Sequence, residues 1–217
     1  MKTTKINKQI YLLEEDEYKE HCNCYLIIGS DKCLLIDVGI GFLNKKKILD
    51  LCNGKPLMKI VTHFHFDHYG GYHDFGKIFA NKSNIEKNKD VGLKYLCKTD
   101  FKNDSFEKIK DNSFQIEASC FKQIGECINL GDVKLKVILT PGHDKTSISL
   151  FEPKEKILFS GDLIYDGKLY FDFLDSDIKE FIASIKKVLD LKPKMILGGH
   201  NKPIILTKDV YLCKQDL

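Results

Sequence analysis

Three histidines and an aspartate stand within six residues, His63-Phe64-His65-Phe66-Asp67-His68, and this run constrains the chain more than any other feature. With the histidine and aspartate frequencies of this sequence taken as independent, it would arise by accident with a probability on the order of one in a thousand. Imidazole and carboxylate are ligands that zinc accepts, and residues two apart in an extended loop aim the same way, so His63 and His65 can share one ion. Asp67 and His68 come from the following turn and point elsewhere, which predicts a second ion close by.

Four ligands in one loop cannot complete two sites, because each ion takes about four to five ligands including water. Three later positions offer more, each directly after a predicted strand: His143 in Thr140-Pro141-Gly142-His143, Asp162 in Ser160-Gly161-Asp162, and His200 in Gly198-Gly199-His200. Glycines before each ligand let the backbone turn tightly around a metal. The pattern predicts one site assembled from four strand ends.

The strands themselves are read from runs of β-branched and aromatic residues between turn signals. Gln9 to Leu13, Cys24 to Ile28 and Cys33 to Ile36 form a meander, with Gly29-Ser30-Asp31 as a turn; Met58 to Val61 is a short buried strand that delivers the motif. Val133 to Val137 alternates with period two, and Ser147 to Phe151, Ile157 to Phe159 and Met195 to Leu197 are further strands. Helical spacing marks Leu43 to Cys52, Asn84 to Leu96 and Asp177 to Leu189, and a helix opened near Asp67 is expected to continue over Tyr72 to Phe75. Residues 99–119 are polar and weakly patterned, which reads as a lid, an excursion or a connection. No repeat or linker divides the 217 residues, so one domain, 1–217, is expected.

Composition excludes several classes. Hydrophobic residues make up 43% of the chain, enough for a substantial core, so a stapled mini-protein is ruled out. The 34 basic and 31 acidic side chains nearly cancel, and every basic one is Lys. Without the planar guanidinium fork, sequence-specific DNA reading loses its usual instrument, and no nucleic-acid partner is expected. No apolar run approaches the ~20 residues of a membrane span. The eight cysteines lack paired CxxC spacing and no signal peptide precedes them, so reduced thiols in a cytoplasmic protein are expected. Cys22 and Cys24 read as alternating strand positions rather than as metal ligands.

The set His63, His65, Asp67, His68, His143, Asp162 and His200 resembles the metallo-β-lactamase superfamily, with its HxHxDH signature at 63–68 and its later His, Asp and His ligands in order. The likeness runs from the N-terminal strands to His200. It implies an α/β fold, a four-layer αββα sandwich with the metals at one edge of the two sheets. By the same resemblance His63, His65 and His143 hold one metal, Asp67, His68 and His200 the other, and Asp162 bridges them. Two Zn2+ are implied, with iron or manganese as alternatives, and a metal-bridging hydroxide as nucleophile, oriented by Asp67. Tyr165 resembles a tyrosine with which lactonases of the family hold the substrate carbonyl, and Asp37 stands where the family carries an aspartate able to accept the distal N–H of a ligand histidine. His73 is expected to lie behind the ligands or in solvent, His21 to be ordinary, and Lys145 and Lys168 to be solvated.

Departures from subfamily patterns narrow the chemistry. Exported β-lactamases usually carry Cys at the position of Asp162. Glyoxalase II enzymes append a helical domain after the last histidine, where only 17 residues remain here. The RNA-processing members carry extra arms, and flavodiiron proteins have Glu at the position of His65. The expectation is a hydrolase acting on a small-molecule thioester, lactone or ester, with a thioester preferred and a homodimer left open. The alternatives are a mononuclear iron enzyme resembling persulfide dioxygenases, an RNA or phosphodiester hydrolase, and a non-catalytic metal-binding module.

Overall fold

The computed structural model describes residues 1–15, 17, 22–82 and 118–206. Two mixed sheets form its centre. The first runs in the order β1 (Lys2–Lys5), β2 (Ile10–Glu14), β3 (Asn23–Ile28), β4 (Cys33–Ile36), β5 (Leu57–Ile60), β6 (Ile78–Ala80) and β7 (Phe121–Gln123). In the second, β8 (Cys127–Asn129), β9 (Lys134–Leu139), β10 (Ile148–Glu152), β11 (Ile157–Gly161), β12 (Met195–Gly198) and β13 (Ile204–Ile205) lie side by side in chain order.

Side chains alternate across a strand, and here the alternation feeds three separate cores. Leu34, Ile36, Tyr25 and Ile27 of the first sheet meet Leu150, Phe159 and Leu197 of the second between the sheets. The intervening residues Leu26 and Leu35 face outward onto helix α1 (Lys45–Cys52), where Ile48 and Cys52 are buried with Phe64 and Tyr72. On the far side, Phe151, Leu158 and Ile196 pack against Phe181 and Val188 of helix α4 (Ile178–Leu189). The layers are therefore helix, sheet, sheet, helix. Strands β10 and β11 are covered on both faces and are buried at every residue, as expected of central strands in such a stack.

Local chemistry sets the helix ends. Asn44 caps α1 by accepting from Lys47 N, and Asn53 closes it in the left-handed conformation. Asp177 caps α4 by accepting from the amides of Lys179 and Glu180. The segment after the histidine run forms two one-turn helices, α2 (Phe66–Tyr69) and α3 (Tyr72–Phe75), in place of one continuous helix. At the break the backbone is tied to the loop after β4, with Gly71 N donating to Gly39 O at 2.9 Å and Val38 N donating to His68 O at 2.9 Å, and glycine permits the approach because a Cβ at position 71 would overlap the Val38 carbonyl.

Five strands escaped the sequence reading. Lys2–Lys5 has no apolar alternation because it is an exposed edge; β6, β7 and β8 have three residues each and β13 two, too short for a period to register. The expected helix at Asn84 to Leu96 and nearly all of the 99–119 stretch lie outside the described residues, as does His21. Among the described residues no helix is long and apolar enough to cross a membrane.

Candidate metal centre

The ligand loops leave the strands at one common edge. Strands β4 and β5 run parallel, as do β11 and β12, so each pair releases its loops in one direction. His63 and His65 follow β5, Asp67 and His68 lie in α2, His143 lies between β9 and β10, Asp162 follows β11, and His200 follows β12. Backbone bonds tie the two sheets together beside these loops: Ile148 N donates to Thr62 O at 2.9 Å, and Asn23 N donates to Gly199 O at 2.6 Å.

The seven predicted ligands converge. The ligand atoms of His63, His65 and His143 lie within 4.8 Å of one another, and so do those of Asp67, His68 and His200. Asp162 stands between the two groups, with Oδ1 3.1 Å from His68 Nε2 and Oδ2 3.1 Å from His200 Nε2 and 3.5 Å from His143 Nε2. The glycine before His200 makes room for this approach, since a Cβ on Gly199 would overlap Asp162 Oδ1.

Each histidine of the first four turns one nitrogen outward to a fixed partner. Thr62 Oγ1 lies 3.0 Å from His63 Nδ1 and donates its own proton to Asp37 Oδ2 at 3.0 Å. Asp37 Oδ2 also lies 2.9 Å from His68 Nδ1, and the Tyr170 carbonyl lies 2.7 Å from His143 Nδ1. His65 faces Asp175 Oδ2 through Nε2 at 3.4 Å. The other nitrogens therefore point inward. His63 Nε2 is buried without a hydrogen-bond partner among the described residues, and His68 Nε2 and Asp162 Oδ1 face each other across 3.1 Å out of hydrogen-bond alignment, an arrangement that costs folding free energy unless a Lewis acid takes up the lone pairs. The donor set of imidazoles and carboxylates fits divalent cations.

The electrostatics agree. Burial disfavours a charged His68, but Asp162, Asp67 and Asp37 outweigh it and hold its pKa well above the ordinary imidazole value. His200 behaves in the same way, with Asp162 overcoming burial and raising its pKa to about 9. Burial and the neighbouring imidazoles push His63 well down and His143 down to about 4. Burial alone would raise Asp162, yet His200 and His68 hold it well below the usual carboxylate range. The carboxylates thus favour positive charge beside His68 and His200, whereas burial and the crowded imidazoles disfavour it on His63 and His143.

The sequence profile of the Metallo-beta-lactamase superfamily matches residues 18–200. The chain belongs to that superfamily. Among curated members it is 29% identical to the acyl-coenzyme A thioesterase MBLAC2 of Bos taurus, over 88% of this chain and 77% of that protein. It is 25% identical to the probable metallo-hydrolase YqgX of Bacillus subtilis, over 82% of this chain and 84% of the other. Solved superfamily structures share the fold: the family protein TTHA1429 of Thermus thermophilus has a TM-score of 0.69 at 19% identity, covering 93% of this chain and 76% of that one. The protein TTHA1623, solved in a di-iron-bound form, has a TM-score of 0.64 at 22% identity, covering 85% and 89%. The chain is a metal-dependent hydrolase of this superfamily.

Other residues singled out in the sequence take definite places. Tyr165 packs its ring 5.1 Å from His200, edge to face, and donates its hydroxyl proton to Lys168 O at 2.6 Å. His73 is exposed on α3, and Lys168 stands over the Tyr170 ring. Cys22 is buried 3.4 Å from His68 Nδ1, with its thiol pKa raised by burial. Since Nδ1 is the nitrogen that faces Asp37, Cys22 packs behind His68, on the side away from the cation lone pairs. Sequence reasoning missed Asp144 and Asp175, whose carboxylates cluster with His65. Asp144 adjoins a ligand and was open to notice; nothing local marks Asp175.

Proposed function

We propose that the chain hydrolyses an acyl thioester at a centre of two divalent cations, zinc first among them. The observation that carries this reading is the pair of three-donor groups flanking Asp162, within which His63 Nε2 is buried without a hydrogen-bond partner among the described residues. His63, His65 and His143 would hold one cation, Asp67, His68 and His200 the other, and Asp162 would touch both. Bound there, the cations supply a water acidified toward neutral pH and positive charge facing the developing oxyanion.

The side chains carry the remaining tasks. Asp67 Oδ2 lies 3.5 Å from both His68 Nε2 and His200 Nε2, which leaves Oδ1 to orient the attacking water. Tyr165 would offer its phenol to the substrate carbonyl by exchanging the Lys168 carbonyl for it. The wall beside His65 and His143 includes apolar side chains: Phe173 sets its ring 5.5 Å and 5.7 Å from theirs, and Leu174, next to it in the chain, is exposed. Such a wall suits an acyl chain, and the name of the thioesterase relative favours a thioester over a lactone or a simple ester.

The test is a panel of acyl-coenzyme A thioesters, lactones and phosphodiesters, with release of free thiol read directly. Thioester turnover that disappears on chelation and returns with zinc is expected. Turnover confined to phosphodiesters or lactones overturns the substrate assignment. A single oxygen-sensitive iron with oxygen uptake on a persulfide would instead mark the mononuclear reading.

A further inference from the structure

We propose that Asp175 is a positioning residue for the first cation, acting through His65 from a loop that braces both His65 and His143. His65 Nδ1 lies 2.9 Å from His143 Nε2, so these two nitrogens share the inward direction and must present lone pairs to a common cation. For His65 this requires the proton to sit on Nε2, and Asp175 Oδ2 is the acceptor placed there, at 3.4 Å. Withdrawal of electrons through the ring on cation binding makes that N–H more acidic, which strengthens its bond to the carboxylate.

Among the described residues the side-chain partner of the Asp175 carboxylate is His65. Asp175 is 7% exposed, and its second oxygen, Oδ1, is buried without a hydrogen-bond partner among the described residues. A carboxylate half-satisfied in this way costs stability, and an acid placed for packing alone would be replaced at no loss by an amide or an apolar side chain. Asp144 stands in the same cluster, its carboxylate held by the Thr146 amide and hydroxyl. The Asp175 carboxylate at Nε2 favours the tautomer that leaves Nδ1 unprotonated on the inner edge.

The same loop fixes His143. The Tyr170 carbonyl lies 2.7 Å from His143 Nδ1, Ser176 Oγ donates to the His143 carbonyl at 2.7 Å, and Asp177 N donates to Gly142 O at 2.8 Å. One stretch of eight residues, 170–177, therefore sets the orientation of two of the three first-cation histidines, with Asp177 anchoring its far end as the cap of α4. The second cation's His68 is held independently by Asp37.

The inference rests on the cation reading of the centre but needs no substrate, so it is tested by zinc competition against a chromophoric chelator on the full chain. Asp175→Asn keeps an acceptor and loses the charge; Asp175→Ala loses both. We expect one of two zinc affinities to fall about tenfold in Asp175→Asn and up to about a hundredfold in Asp175→Ala, the other being unchanged. Long-range proton–nitrogen spectra of the zinc-loaded protein are expected to place the His65 proton on Nε2, and a loss of that signal in Asp175→Ala with other histidines unmoved separates positioning from general damage. If Asp175→Ala does not fold, Asp175→Asn decides alone. Wild-type affinity in Asp175→Asn, or a His65 proton on Nδ1, overturns the role of Asp175 alone, whereas a wild-type chain that takes up no zinc overturns the cation reading with it.

Discussion

The carboxylate of Asp37 lies 2.9 Å from His68 Nδ1 and accepts from the Thr62 hydroxyl at 3.0 Å, so that one oxygen orients His68 directly and His63 at one remove. Its other oxygen accepts from Thr62 N at 2.7 Å. Asp37 holds this position in a left-handed backbone conformation, φ 60°, at the end of β4. It therefore links the two histidine groups from outside, while Asp162 stands between them. Asp37→Asn is expected to weaken both zinc affinities, about ten- to a hundredfold for the His68 cation and less for the His63 cation. Chelator competition reads both. An unchanged pair of affinities removes Asp37 from the centre.

Gly199 offers a purely steric test. Its would-be Cβ overlaps Asp162 Oδ1 and meets His68 Cε1 at 2.8 Å, so Gly199→Ala must displace the carboxylate that stands between the two histidine groups. The variant is expected to fold, as judged by circular dichroism, and to lose at least one cation per chain by elemental analysis. Full retention of both would mean that Asp162 has freedom the packing denies it.

Glu15 makes stability depend on pH away from the centre. Its buried carboxyl accepts from the amides of Ile40 and Phe42 at 2.7 Å and 2.5 Å, yet burial outweighs these bonds and raises its pKa to about 7. Between the unfolded value of 4.5 and about 7, the folded chain binds the extra proton, so this group's contribution to stability falls as pH rises through that window and levels off above it. The linkage is worth about 3 kcal/mol at most. Urea unfolding from pH 5 to 8 should show that decline, and Glu15→Gln should flatten it; a slope that survives in Glu15→Gln belongs to other groups.

Tyr165→Phe removes only the hydroxyl now donated to Lys168 O and leaves the ring against His200. If the phenol reaches the substrate carbonyl, kcat should fall about tenfold with both cations retained, the value of one hydrogen bond of about 1.4 kcal/mol. Unchanged kcat would restrict Tyr165 to packing.

Much of this arrangement is legible in the sequence because its signals are local. The alternation of Leu34, Leu35 and Ile36 assigns each side chain to one of two cores, and each of the four strand ends carries its candidate ligand within a few residues of a glycine or a turn. Asp37 is readable through the resemblance, because it closes the Leu34 to Ile36 strand where the family carries an aspartate. Asp175 is not, because its partner His65 is 110 residues away and the loop between β11 and α4 has no period of its own. The edge strand Lys2–Lys5 is equally silent: all its residues but one are exposed, so no burial pattern was imposed on its sequence.

The two-cation centre is tested most directly by counting divalent metal per folded chain, by elemental analysis of protein purified without chelator, for the wild type and for His200→Ala. Two ions in the wild type and one in His200→Ala are expected, the survivor being the one held by His63, His65 and His143. A single ion in both proteins, with hydrolysis undiminished in His200→Ala, contradicts the centre described here.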